Sequence, residues 1–239
     1  MTILTRWAVR VHKWLALIVG LQIILWIAGG FAMSLMPIDQ VRGDHLRAPA
    51  LNYAIDLEDL IDPAEAARIG EVGPMSAYAL RRWHNGPVYQ FETWRGPVVV
   101  SATSGERLTP ITRAQAIDIA QAGYSGSSEI ISVTYFERPS WEYRRDHPAF
   151  QVAFGDEQGA RFYVAANTGQ IDAVRTDMWR LYDFFWMLHI MDYEDREDFN
   201  HPLLISAAGL ALITVLAGLT LLFVRVRRTV LVQLNARKR

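Results

Sequence analysis

His189 follows the run Asp177-Met178-Trp179-Arg180-Leu181-Tyr182-Asp183-Phe184-Phe185-Trp186. Trp179, Tyr182, Trp186, His189 and Tyr193 recur at helical spacing, so a helix over 176–192 would carry one aromatic stripe with an imidazole on it. Two chemistries suit such a stripe. Aromatic side chains with polar tips form belts at membrane interfaces. An imidazole among apolar walls also offers the axial nitrogen that a flat macrocycle needs. His201 precedes Pro202 and follows the acidic turn Glu194-Asp195-Arg196-Glu197-Asp198, at an expected depth similar to that of His189. His189 and His201 are therefore the candidate ligands for a haem iron. At the same junction, Asn200 offers a helix cap as the alternative use of the local sequence. His12, beside Arg10, Lys13 and Trp14, reads as an interfacial anchor. His45, His84 and His147 stand next to Asp, Arg or Asn and read as surface residues.

Other chemistries have no residues to carry them. Cysteine is absent, which excludes disulfides, thiolate catalysis, iron–sulfur clusters and covalent haem attachment through C-x-x-C-H. No nucleophile elbow, Walker loop, G-x-G-x-x-G or H-E-x-x-H occurs. The carboxylates of Asp192–Asp198 read as a solvated turn, with cation binding as the alternative. The pairs Arg81-Arg82 and Arg144-Arg145 read as solvated bases on exposed strands. No nucleic-acid partner is expected.

The elements that position the histidines are visible in the charge pattern. The formal net charge of -1 conceals a segregation. Residues 1–36 contain no acid and three bases, Arg6, Arg10 and Lys13, and residues 204–239 contain no acid and six, Arg225, Arg227, Arg228, Arg237, Lys238 and Arg239. All 25 acidic residues lie in between. The apolar runs 14–36 and 203–224 are each long enough, at 1.5 Å per residue, to cross a hydrocarbon core of roughly 30 Å. Lipid leaves the backbone no external partner, so both must be helical. The bases flank the start of the first run and the end of the second, which predicts cytoplasmic termini and an external segment over 37–202. The first run exceeds the apolar core of a signal peptide, and no A-x-A site follows it, so it reads as an uncleaved anchor.

The external segment contains an internal repeat. Tyr89-Gln90-Phe91 resembles Phe150-Gln151-Val152, and Val100-Ser101-Ala102-Thr103-Ser104-Gly105 aligns with Val164-Ala165-Ala166-Asn167-Thr168-Gly169. Each copy has a hairpin turn, at Arg95-Gly96-Pro97 and at 155–159, and a preceding strand, near 75–83 and 131–138. A helix precedes each strand set. Thr112-Arg113-Ala114-Gln115 is a capping box opening one over 114–122, and 57–69 is its counterpart, interrupted by Pro63.

This helix-then-hairpin unit, ending in Asn167-Thr168-Gly169-Gln170-Ile171, resembles a PepSY domain. The stretch from Val11 to Met33 resembles the opening helix of PepSY-associated transmembrane proteins, and residues 184–223 resemble their aromatic–His segment and later span. Relatives begin with a run that His12-Lys13-Trp14-Leu15-Ala16-Leu17 matches, which implies His12 as a further haem ligand near the cytoplasmic face. The larger relatives carry four spans where this sequence shows two.

The fold class expected is α+β: two transmembrane helices flanking a periplasmic pair of PepSY-like modules, each a helix plus an antiparallel sheet. The divisions are 1–36 (first span), 37–110 and 111–175 (modules), 176–202 (aromatic helix and acidic turn) and 203–239 (second span and basic tail). The resemblance implies a bacterial inner-membrane protein that binds haem b and passes electrons to a periplasmic acceptor such as a ferric siderophore, as a reductase or an electron-transfer subunit. The alternative is a non-enzymatic binding, regulatory or assembly module of a membrane complex. Two helices cannot wall in a macrocycle, so a homodimer or another membrane subunit is expected beside the lipid bilayer.

Overall fold

The computed structural model describes residues 3–237, without the side chains of residues 3–8, 11, 235 and 237. Of the basic residues singled out above, Lys238 and Arg239 lie outside the described residues, as do the side chains of Arg6 and Arg237. The chain divides into two compact units, one of residues 36–181 and one joining 3–35 to 182–237.

In the unit 36–181, which opens on the short helix α2 (Ile38–Arg42), both copies of the repeat are folded. The first has helix α3 (Pro63–Ile69) and the antiparallel strands β1 (Met75–Trp83), β2 (Gly86–Thr93) and β3 (Gly96–Ser101). Pro63 starts the helix instead of splitting it. Asp62 caps it by accepting the Ala64 N–H at 2.8 Å, and proline at the first helical position sacrifices no bond. Residues 57–62 are consequently not helical, a correction to the longer helix expected. The second copy has helix α4 (Arg113–Gly123), opened by the expected capping box of Thr112 and Gln115. Its sheet runs in the order β4 (Ile130–Phe136), β5 (Ala149–Phe154), β6 (Arg161–Ala165) and β7 (Ile171–Arg175).

The strand β7 was not foreseen, and the repeat explains it. After β6, the Gly169 N–H returns to Ala165 O and the chain pairs back on β6. After β3, Gly105 N–H returns to Ser101 O, but the return strand is reduced to the single bridge Val100–Arg107. Gly169 is held at φ 65, and a side chain there would collide with the Trp83 indole of the first copy. The two copies thus share a core. Trp83, Val88 and Val99 pack with Ile119, Val152, Phe162 and Val174 in one cluster.

In the other unit, α1 (Ile3–Leu35) and α6 (Pro202–Arg237) pack together with the later residues of α5 (Asp177–Ile190). Residues 12–35 and 202–234 are long and apolar enough to cross a membrane. Their large apolar side chains face outward, with Ile18 and Phe223 each 70% exposed, opposite to a core helix of a soluble fold. The hydroxyls of Ser206, Thr214 and Thr220 bond back to carbonyls four residues earlier, which satisfies them inside an apolar helix.

Candidate functional site

His12 and His189 are both built against glycines of a neighbouring helix. A methyl group on Gly218 of α6 would stand 3.4 Å from His12 Cε1, and one on Gly30 of α1 would stand 3.8 Å from His189 Cε1. Phe185, one turn before His189, lies 3.9 Å from the corresponding point on Gly29. At that end Trp186 meets Phe199 edge-on at 5.4 Å, so the start of α6 is near the end of α1 and the two helices run antiparallel. His12 and Gly30 are 18 residues apart on α1, roughly 27 Å along its axis. His12 and His189 therefore cannot hold one iron between them. His201 lies at the His189 end, as expected, and no contact joins the two rings.

The His189 site is lined by orphaned polar atoms. The Trp26 ring centroid is 6.4 Å from that of His189, and Trp26 Nε1 and His189 Nδ1 are both buried without a hydrogen-bond partner. His12 Nδ1 is in the same condition at the opposite end. A buried donor or acceptor left unpaired costs about 1–3 kcal/mol, so such atoms mark a place where another group belongs.

The aromatic stripe does not form one wall. The helix ends at Ile190, where Met191 turns left-handed at φ 57, so Tyr193 leaves the helical register. Trp179 belongs to the other unit, where Arg175 lies 4.2 Å from its ring centre, Arg144 5.6 Å and the Trp141 ring 5.9 Å. Trp186 is committed through Nε1 to Arg196 O at 3.1 Å. Trp26 of α1, not named from the sequence, is the ring beside His189. Only tertiary packing brings these residues together.

His201, not Asn200, caps α6. Its Nδ1 accepts the Leu203 N–H at 3.3 Å, while its carbonyl accepts the first intrahelical bond from Ile205. A ligand role for His201 must therefore use Nε2.

The acidic turn is also more than a solvated cluster. Asp192 is buried and accepts the N–H groups of Glu194, Glu197 and Asp198. Burial pushes its carboxyl up, but these backbone donors outweigh it and hold the group below the usual aspartate range. Asp183 is buried beside Arg196, with which it forms an ion pair. Among the described residues, no group of three or more acidic, histidine or cysteine side chains is placed to hold a metal ion.

Two histidines read as surface residues are not. His84 has both ring nitrogens buried without partners, and burial pushes its pKa down against a smaller opposing pull from Asp118. His147 Nε2 is 2.6 Å from Asp172, which also accepts the Tyr143 hydroxyl at 2.9 Å. His45 is exposed, with Nε2 2.7 Å from Gln158.

Glu142, unmarked in the sequence, joins three side chains of the unit 36–181. It is buried, with Arg161 Nη1 and Arg180 Nε each 2.8 Å from one carboxylate oxygen and the Tyr163 hydroxyl 2.7 Å from the other. Burial pushes its carboxyl up, and the bonds from Arg180 and Tyr163, aided by the charges of Arg180 and Arg161, bring it below its ordinary value. The same bond, after burial, drives the Tyr163 hydroxyl far above the usual tyrosine range. Glu142 lies in an irregular loop, where no periodicity marks a buried carboxylate.

The fold and site together define a class: an α+β unit carried by two helices of membrane-spanning length, with partnerless histidines between the helices. No family model, curated protein or solved structure matches the chain.

Proposed function

We propose that this chain is a PepSY-type inner-membrane protein that binds b-type haem and passes electrons to a periplasmic acceptor, a ferric siderophore being the kind of acceptor implied by the resemblance. The observation that carries the reading is the partnerless Nδ1 of His189, half-buried between α1 and α5 beside Trp26 and Phe185. The donor set suits haem: an imidazole in an apolar, aromatic setting, whose buried Nδ1 is committed to no protein group. His189 would hold the iron, and Trp26 and Phe185 would exclude water from it. His201 has Nε2 left to reach the same end, and His12 would serve a second site at the opposite end. When bound, haem supplies a one-electron ferric–ferrous couple. The protein's own part is axial ligation and an apolar enclosure that tunes the potential.

The orientation proposed has both termini in the cytoplasm and 37–202 outside, on the strength of the bases at one end of the helix pair. A homodimer or a second membrane subunit would complete the walls. The experiment is the absorbance spectrum of the purified protein, oxidised and reduced, for the natural sequence and His189→Ala. The b-type bands are expected in the first and lost or shifted in the second. Protein that stays colourless after expression with excess haem overturns the reading.

A second reading, a non-enzymatic docking module, draws on the open sheet edges. Strands β1 and β4 each end a sheet, and Tyr78 and Ile131 on them are 54% and 69% exposed. Such edges accept an added strand from a partner. This reading needs neither His189 nor His201, so the same spectrum separates the two.

A further inference from the structure

The helical unit is polarised along its length. Its carboxylates, Asp183, Asp192, Glu194, Asp195, Glu197 and Asp198, all lie on α5 or between α5 and α6, and neither long helix has one. The opposite end carries Arg10, Lys13, Arg225, Arg227 and Arg228, all exposed. The contact of His12 with Gly218 sets their levels. Arg10 and Lys13 flank His12 on α1, and Arg225 begins seven residues past Gly218, roughly 10 Å along α6. Long aliphatic stems let the two tiers lean toward one layer. On α6, Arg225 and Arg227 point to opposite sides of the helix, so the bases form a collar and not a single patch.

The collar is set within apolar surface. Phe223 and Val224 precede it, Val226 interrupts it, and Val230, Leu231 and Leu234 follow, all of them exposed. Guanidinium groups flanked on both sides by apolar helix surface suit the boundary between hydrocarbon and phosphate. We propose that this collar binds the headgroups of anionic phospholipids, phosphodiesters such as phosphatidylglycerol that lack a compensating amine. Five exposed bases, with no acidic side chain among the described residues at their end of the unit, favour a net-negative headgroup over a zwitterionic one. Arg225, Arg227 and Arg228 offer charge and donors, and arginine pairs with phosphate through two parallel N–H bonds. The assignment does not depend on haem or on which side of the membrane the collar faces.

The test uses the full chain in detergent, presented with equal phosphatidylglycerol and phosphatidylcholine. Bound lipid is counted by native mass spectrometry, with helicity checked by circular dichroism. The natural sequence should retain phosphatidylglycerol in at least about fivefold excess, the factor that one base near an anionic surface supplies. The triple variant R225Q/R227Q/R228Q should fall to near parity, and R225K/R227K/R228K should keep much of the preference. If the glutamine variant loses helicity, the natural sequence titrated with salt decides, because an electrostatic preference must fade at high ionic strength. Parity in the natural sequence at low salt, a preference that survives high salt, or a folded glutamine variant that keeps it would each overturn the proposal. Parity together with salt-sensitive retention of an acidic protein would assign the collar to that partner instead.

Discussion

His189 lies against Gly30, its Cε1 3.8 Å from the point where a methyl group on the glycine would stand. That is ordinary contact distance, so alanine fits and a larger side chain does not. Gly30→Ala should leave the reduced-minus-oxidised spectrum unchanged. Gly30→Leu should shift or abolish it, as His189→Ala does, with helicity preserved. A leucine variant with the natural spectrum would place any bound haem away from His189.

His201 distinguishes capping from ligation by one pair of substitutions. His201→Ala removes the acceptor for the Leu203 N–H and should cost about 1 kcal/mol at the start of α6. His201→Asn restores a cap but offers no imidazole. Recovery of thermal stability by Asn, with the spectrum unaltered, assigns the residue to the cap alone. Recovery of stability with a changed spectrum adds a ligand role through Nε2.

Glu142 concerns the unit 36–181 and is independent of any cofactor. Glu142→Ala leaves Arg180, 18% exposed, without its buried carboxylate, and should destabilise the unit by about 3 kcal/mol. Arg161, 41% exposed, adds little to that loss. The folded-state carboxyl titrates below its ordinary 4.5, so the unfolded chain binds more protons through that interval. The contribution of Glu142 is complete above pH 4.5 and disappears as pH falls through the folded-state value. Denaturant midpoints followed from pH 7 downward should therefore fall more steeply for the natural sequence than for Glu142→Gln. Parallel curves would show that the carboxylate is not held as described.

His84 carries the same sign by a different cause. Burial holds its pKa below the ordinary 6.5, so the folded form resists protonation and stability is lost as pH falls below that value. Both ring nitrogens are also buried without partners. His84→Leu should raise stability by about 1 kcal/mol at pH 8, and by more at pH 5. Thermal melts at the two pH values measure the difference. A variant equally destabilised at both would mean that the nitrogens are satisfied in solution.

The two apolar helices, the capping box at Thr112 and the doubled helix–hairpin pattern were legible in the sequence because each rests on local physics. Spans follow from run length, caps from a side chain three residues from its N–H, and hairpins from turn chemistry. His12, His189 and His201 were legible as residue types beside apolar runs, whereas His84 and His147 were not. The surroundings of the first three were not legible either. Gly30 and Trp26 reach His189 from a segment more than 150 residues earlier, and neither carries a mark that says so. The left-handed turn at Met191 removed Tyr193 from a stripe that continuous helical spacing had predicted. Pro63 reads as an interruption in the sequence, whereas Asp62 caps the helix that the proline begins. Glu142, Asp192 and His84 are buried because of what folds over them, and burial of a polar residue leaves no periodic trace. The sequence by itself determined the two long apolar helices, the capping box and the hairpins, since those depend on neighbours in the chain. The tertiary structure decided which imidazole nitrogens are enclosed and which carboxylates are paired, since those depend on groups that only packing makes neighbours.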